Sequence, residues 1–148
     1  MTFTHTIIVM FVGSVLIQYF LMSPIMVSSR IYITNNVSKL YISIIMAIFM
    51  LFLEVMMHDH QYNVFSAKFY IILITGLSIF IYLYRNQIAI NDKQFLEEMI
   101  EHHSMGIFTS EEILKKTDSY EVTKLAKNII QTQQDEIRFM QDLLSKKQ

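Results

Sequence analysis

Two adjacent histidines, His102 and His103, stand in the stretch DKQFLEEMIEHHSMGI, with Met99 one helical turn ahead of them. Imidazole and thioether together are a ligand set for a soft ion such as Cu(I). At about 100° per residue, Phe95, Leu96, Met99, Gly106, Ser110, Ile113 and Leu114 fall within about 60° of Met99, and the two histidines straddle that face. Downstream, Val122, Ala126, Ile129, Ile130, Ile137, Met140 and Leu144 line one face of a second helix. Gln133 occupies the centre of that face and Glu136 its edge, where polar groups are costly unless they find partners.

Asp118, with Glu121 three residues on, reads as a capping-box-like start for the second helix. A chain reversal near residue 118 sets His102 or His103 opposite Gln133, Met99 opposite Glu136 or Ile137, and Leu96 opposite Met140. Two readings follow. In one, a histidine hydrogen-bonds to Gln133 and the seam is structural. In the other, His102, His103, Met99 and Met140 hold a metal ion while Gln133 or Glu136 orients an imidazole. Adjacent histidines on a helix diverge by about 100°, so one ion needs ligands from a second copy.

A second group of soft ligands lies upstream. Met46, Met50, Glu54 and Met57 form one helical stripe, and Met56, Met57, His58 and His60, with Asp59 among them, gather where an apolar run ends. Thioethers at such spacing pack between helices, but with imidazoles at a membrane boundary they also suit Cu(I), so Met56, Met57, His58 and His60 are a secondary metal candidate. Glu54 needs a partner, and His58 one turn on is the nearest. No set of nucleophile, base and orienter is visible, and no phosphate loop. A carboxylate di-iron site wants Glu-x-x-His on two helices, whereas Glu98 precedes His102 by four and the second helix has no histidine. No enzymatic activity is expected.

The elements that must position these residues divide sharply. Of the charged side chains, only Arg30, Lys39, Glu54, Asp59 and Lys68 fall before residue 85, in a chain of 148 residues with no Cys and a net charge of −1. A soluble domain spreads its charges over every outer face, so the first half is read as embedded in a lipid bilayer. Uncharged or nearly uncharged runs at 7–27, 40–57 and 69–84 make three spans. The first lacks the basic n-region of a signal peptide. The expected fold is all-α, a membrane domain over 1–88 followed by a soluble antiparallel helical hairpin over 89–148. Arg30, Lys39, Arg85 and Lys93 against Lys68 place the hairpin in the cytoplasm by the positive-inside rule. The charge balance leaves no footprint for nucleic acid. A two-helix hairpin of this size is too small to hold a core alone, which points to a homo-oligomer or a larger membrane complex.

The hairpin sequence, together with LAKNIIQTQQDEIRFMQDLL, resembles the domain of unknown function 305 family. Met99, Ile100, His102, His103, Ile107, Ala126, Ile130, Gln133, Glu136, Ile137 and Met140 stand in register with its pattern. Glu101 departs from it, replacing the usual Pro of Met-Ile-Pro-His-His, and Thr109 stands where many members have Met. The spans are similar to the membrane-anchored branch of that family. The resemblance implies a helical protein with copper as cofactor, bound by His and Met, and so metal binding at His102 and His103. The expected function is a membrane-anchored protein for copper sequestration, transfer or tolerance. The alternative is a structural or assembly subunit without metal.

Overall fold

The computed structural model describes residues 2–146, in which all regular structure is helical and no strand occurs. Three helices are long and apolar enough to cross a membrane, over Phe3–Met26, Val37–Tyr62 and Ala67–Arg85. The second and third run beyond the apolar stretches visible in the sequence at both ends, and the first begins earlier, at Phe3, and stops one residue short, at Met26. The first comprises α1 (Phe3–Leu16), a π-helical turn at Ile17–Leu21 and α2 (Met22–Met26). Pro24 accounts for the widened turn: it has no N–H to give to the carbonyl four residues back, and its ring crowds that carbonyl. Helix α3 (Val37–Tyr62) and helix α4 (Ala67–Arg85) follow.

The chain forms two compact units. In the first, residues 1–21 and 37–89, α3 packs against both α1 and α4. Ile7, Ile48, Leu51, Val55 and Leu73 are its buried core. Ile8, Phe20, Leu53, Ile71 and Ile74 leave more than half of their surface uncovered by protein, as lipid-facing side chains do. Helix α3 extends through His58, Asp59 and His60, past the end of the apolar run at residue 57, so these residues form the last turns of a helix. Asp59 closes the short connection to α4 by accepting the Ser66 N–H at 2.7 Å and the Ser66 hydroxyl at 2.6 Å. Asn63 supplies the left-handed residue, φ 49°, that ends α3.

The second unit is residues 22–36 with 90–148. Composition groups the segment 22–36 with the spans, but its contacts are with the carboxy-terminal helices. Helix α5 (Asp92–Leu114) begins where the Asn91 side chain accepts the Gln94 N–H. Helix α6 (Tyr120–Ser145) begins at Ser119, whose hydroxyl accepts the Val122 N–H and donates to Glu121. The cap is thus Ser119, one residue beyond the expected Asp118. Leu96, Ile100, Ile107, Ile137 and Met140 form the core between α5 and α6, joined at its edge by Tyr32 from the short turn Arg30–Tyr32. Phe95 and Ile113, expected in the seam, are exposed. The buried band of α5 runs instead through Leu96, Ile100, Glu101, Ser104, Ile107 and Ser110, because α5 is covered on a second face by the 22–36 segment.

Candidate functional site

His103 lies between α5 and α6 with both ring nitrogens engaged. Its Nδ1 is 2.7 Å from the carbonyl oxygen of Met99, one turn back on α5, and its Nε2 is 2.9 Å from Oε2 of Glu136 on α6. The imidazole is 16% exposed and the carboxylate 53%. A carbonyl and an ionised carboxylate each require an N–H, so a ring carrying both protons satisfies both acceptors and holds no lone pair. With Glu136 displaced, the Met99 carbonyl still fixes the proton on Nδ1 and leaves Nε2 as the ligand atom. Metal-binding histidines are held in this way.

Gln133 lies opposite Gly106. A Cβ on Gly106 would stand 2.8 Å from Nε2 of Gln133 and closer still to its Oε1. That oxygen is buried and has no hydrogen-bond partner among the described residues. The expected pairing of Gln133 with His102 or His103 therefore does not form, and the observed register is displaced by three positions. The cause is the direction of helical side chains. Each Cα–Cβ bond leans toward its helix's amino terminus, so in two oppositely running helices each contact shifts by about one residue on either side, beyond what the turn alone implies. The later start of α6 adds the remainder.

The other expected ligands are less closely gathered. His102 is exposed, about 100° around the helix from His103. Met140 is buried in the apolar core, and Met99 is partly buried against that core. The structure thus brings His103 and Glu136 into direct contact and ties Met99 to them through its backbone. No group of three or more His, Asp or Glu side chains suited to a metal occurs among the described residues.

The secondary candidates belong to the first unit. Met56 and Met57 are exposed, as is His60. His58 stacks on Phe3 with ring centroids 3.6 Å apart, and its Nδ1 is 3.3 Å from Oδ1 of Asp59. Its hydrogen-bond partner is the adjacent Asp59, already turned inward by Ser66, rather than Glu54.

Sequence reasoning treated Glu101 only as a departure from a pattern. The residue is 4% exposed, and its carboxylate anchors the 22–36 segment. The Ser23 hydroxyl donates to Oε1, and Oε2 accepts the Thr34 N–H at 2.8 Å and the Thr34 hydroxyl at 3.1 Å. One turn on, the Ser104 hydroxyl oxygen accepts the Ser28 N–H at 3.0 Å, and the two serine hydroxyls lie 3.0 Å apart. The available signal was a Glu and a Ser at i and i+3, off the apolar face, together with a hydroxyl-rich segment from Ser23 to Thr34.

The family model described as domain of unknown function (DUF305) matches residues 83–144. The chain is also 43% identical, over 77 residues, to "Uncharacterized protein L153" of Acanthamoeba polyphaga mimivirus, an alignment covering 52% of this chain and 51% of that protein. The chain therefore spans about half the length of that relative. No solved structure matches. The matched residues take in all of α5 and nearly all of α6, so the α5–α6 region is supported as a domain of the DUF305 family.

Proposed function

We propose that this protein is a membrane-anchored metal-binding protein, with copper as the ion, whose antiparallel α5–α6 hairpin carries the site in the cytoplasm. The observation that carries this reading is the clamp on His103, one nitrogen fixed by the Met99 carbonyl and the other held against the Glu136 carboxylate. Displacing Glu136 from Nε2 opens the position for an ion and leaves that carboxylate beside it, as a ligand or as the group that orients one. His102 on the surface and the Met99 and Met140 thioethers are the further donors. A single chain directs too few of them to one point, so the reading includes a second copy that completes the coordination, with sequestration or transfer as the role. No bond-making chemistry is assigned to the protein.

The competing reading is an assembly subunit. It is favoured by the same pair, since a histidine satisfied on both nitrogens needs no metal. Bound copper per chain separates the two. The metal reading expects stoichiometric Cu(I) in the wild type and at least a tenfold weaker affinity in His103→Ala. A smaller loss is expected in His102→Ala and in Glu136→Gln. Equal affinities in all four proteins would make the pair structural.

A further inference from the structure

The first unit contains a cavity of about 290 Å³ lined by Phe3, Thr6, Glu54, Met57, His58, Gln61 and Tyr62. It lies where the start of α1 meets the last two turns of α3. Glu54 is half-buried and has no hydrogen-bond or ionic partner among the described residues. Among the described residues the lining contains no Lys or Arg to neutralise it. An uncompensated carboxylate at the end of a span is expensive, and such groups mark ion or ligand positions. The remaining walls are aromatic and weakly polar. The Phe3 and His58 rings stack at 3.6 Å, and the His58 and Tyr62 centroids are 4.8 Å apart.

A bare metal ion is a poor match for these walls, since no three His, Asp or Glu side chains converge there among the described residues. One negative charge among aromatic rings suits a cation that carries its charge on an apolar body, because ring faces attract such a cation without the close ligands a metal requires. The volume sits just below the roughly 300–1,000 Å³ of ligand pockets, so the occupant is small.

We propose that this cavity binds a small organic ammonium group, with Glu54 as its counter-ion and the rings of Phe3 and Tyr62 as its apolar walls. The group comes either from a free cation or from the headgroup of a choline lipid at the membrane surface.

The test uses the full chain in nanodiscs of phosphatidylglycerol, which carries no ammonium group, titrated calorimetrically with tetramethylammonium chloride against sodium chloride. Saturable binding of one tetramethylammonium per chain is expected. Glu54→Gln should weaken it about tenfold or more, Glu54→Asp much less, and the exposed Tyr62→Leu roughly three- to tenfold, in proportion to a lost cation–π contact. Helicity by circular dichroism should be the same in all variants. Repeating the titration in phosphatidylcholine nanodiscs identifies the source: loss of tetramethylammonium binding there assigns the site to the lipid headgroup, and unchanged binding assigns it to a soluble cation. The proposal falls if no saturable binding is seen in phosphatidylglycerol, or if Glu54→Gln and Tyr62→Leu both bind as the wild type does. It falls equally if Glu54→Gln loses Cu(I) and not tetramethylammonium.

Discussion

Gly106 makes room for the far end of the Gln133 side chain, which an added Cβ would displace. In an ordinary helix interior Gly→Ala is stabilising by about 1 kcal/mol. Here the Gln133 amide must swing aside to admit the Cβ, which offsets part of that gain. Gly106→Ala should therefore raise the thermal midpoint less in the wild type than in a Gln133→Ala background. A thermal melt followed by circular dichroism reads the difference directly, and equal shifts in the two backgrounds would show that the overlap does not govern the site. Glu101 is the other decisive residue. Glu101→Ala strips the acceptor from the Ser23 hydroxyl and the Thr34 N–H, while the Thr34 hydroxyl keeps the Glu97 carbonyl at 2.9 Å, a loss of about 2 kcal/mol or more for the two donors left without that carboxylate. The expected local signature is faster amide exchange at Thr34 with little change at Ile130. Unaltered protection at Thr34 would remove the anchoring role assigned to the carboxylate.

At the scale of elements, the ends of helices carry the information. Helix α6 starts at Ser119, whose hydroxyl satisfies the Val122 N–H, and Ser119→Ala should cost about 1 kcal/mol. Glu121, in the first turn, is held below the usual glutamate value by its own backbone N–H and by the Ser119 hydroxyl, against a smaller opposing effect of desolvation. A carboxyl lowered in the folded state stabilises that state above its unfolded value, and the stabilisation disappears as pH falls through the folded value. The first turn of α6 should accordingly fray on acidification below the normal glutamate range and stay intact from there to neutral pH. Carbon chemical shifts of residues 119–123 check this, and a first turn insensitive to acid would contradict it. Helix α3 teaches a related lesson. Its apolar run ends near Met57, but the backbone continues to Tyr62 because Asp59 finds Ser66 and Asn63 takes the left-handed ending. Hydropathy locates where the lipid-compatible surface stops, and hydrogen bonding decides where the helix does.

For the whole molecule, a chain in which all three of these helices cross a bilayer would carry the α3–α4 connection on one side and the carboxy-terminal helices on the other. Reporter fusions in the connection near Asn63 and at the carboxy terminus should be active on different sides, and activity on the same side would eliminate the three-span topology. The division of charge that suggested those spans was readable directly, since ionised groups are excluded from hydrocarbon whatever the tertiary arrangement. The helical class and the apolar face of α6 around Ala126, Ile137 and Met140 were equally legible, as was the place of His102 and His103 at the border of the seam, though packing then turned only His103 inward. Periodicity fixes the angle of a side chain about its helix axis, and angle was enough for these. Translation along the axis is not encoded in periodicity. Whether Gln133 meets His103 or Gly106 depends on how far one helix slides past the other, and only the packed pair of helices settles it. The second cover of α5 was illegible for the same kind of reason. Glu101 reads as a solvent-facing acid on the helical wheel until a segment about 70 residues earlier in the chain folds onto it. Composition thus determined which helices are apolar enough to span and periodicity determined the faces. The tertiary structure alone decided the register and the distant hydrogen-bond partners, because both depend on contacts between segments that local pattern does not relate.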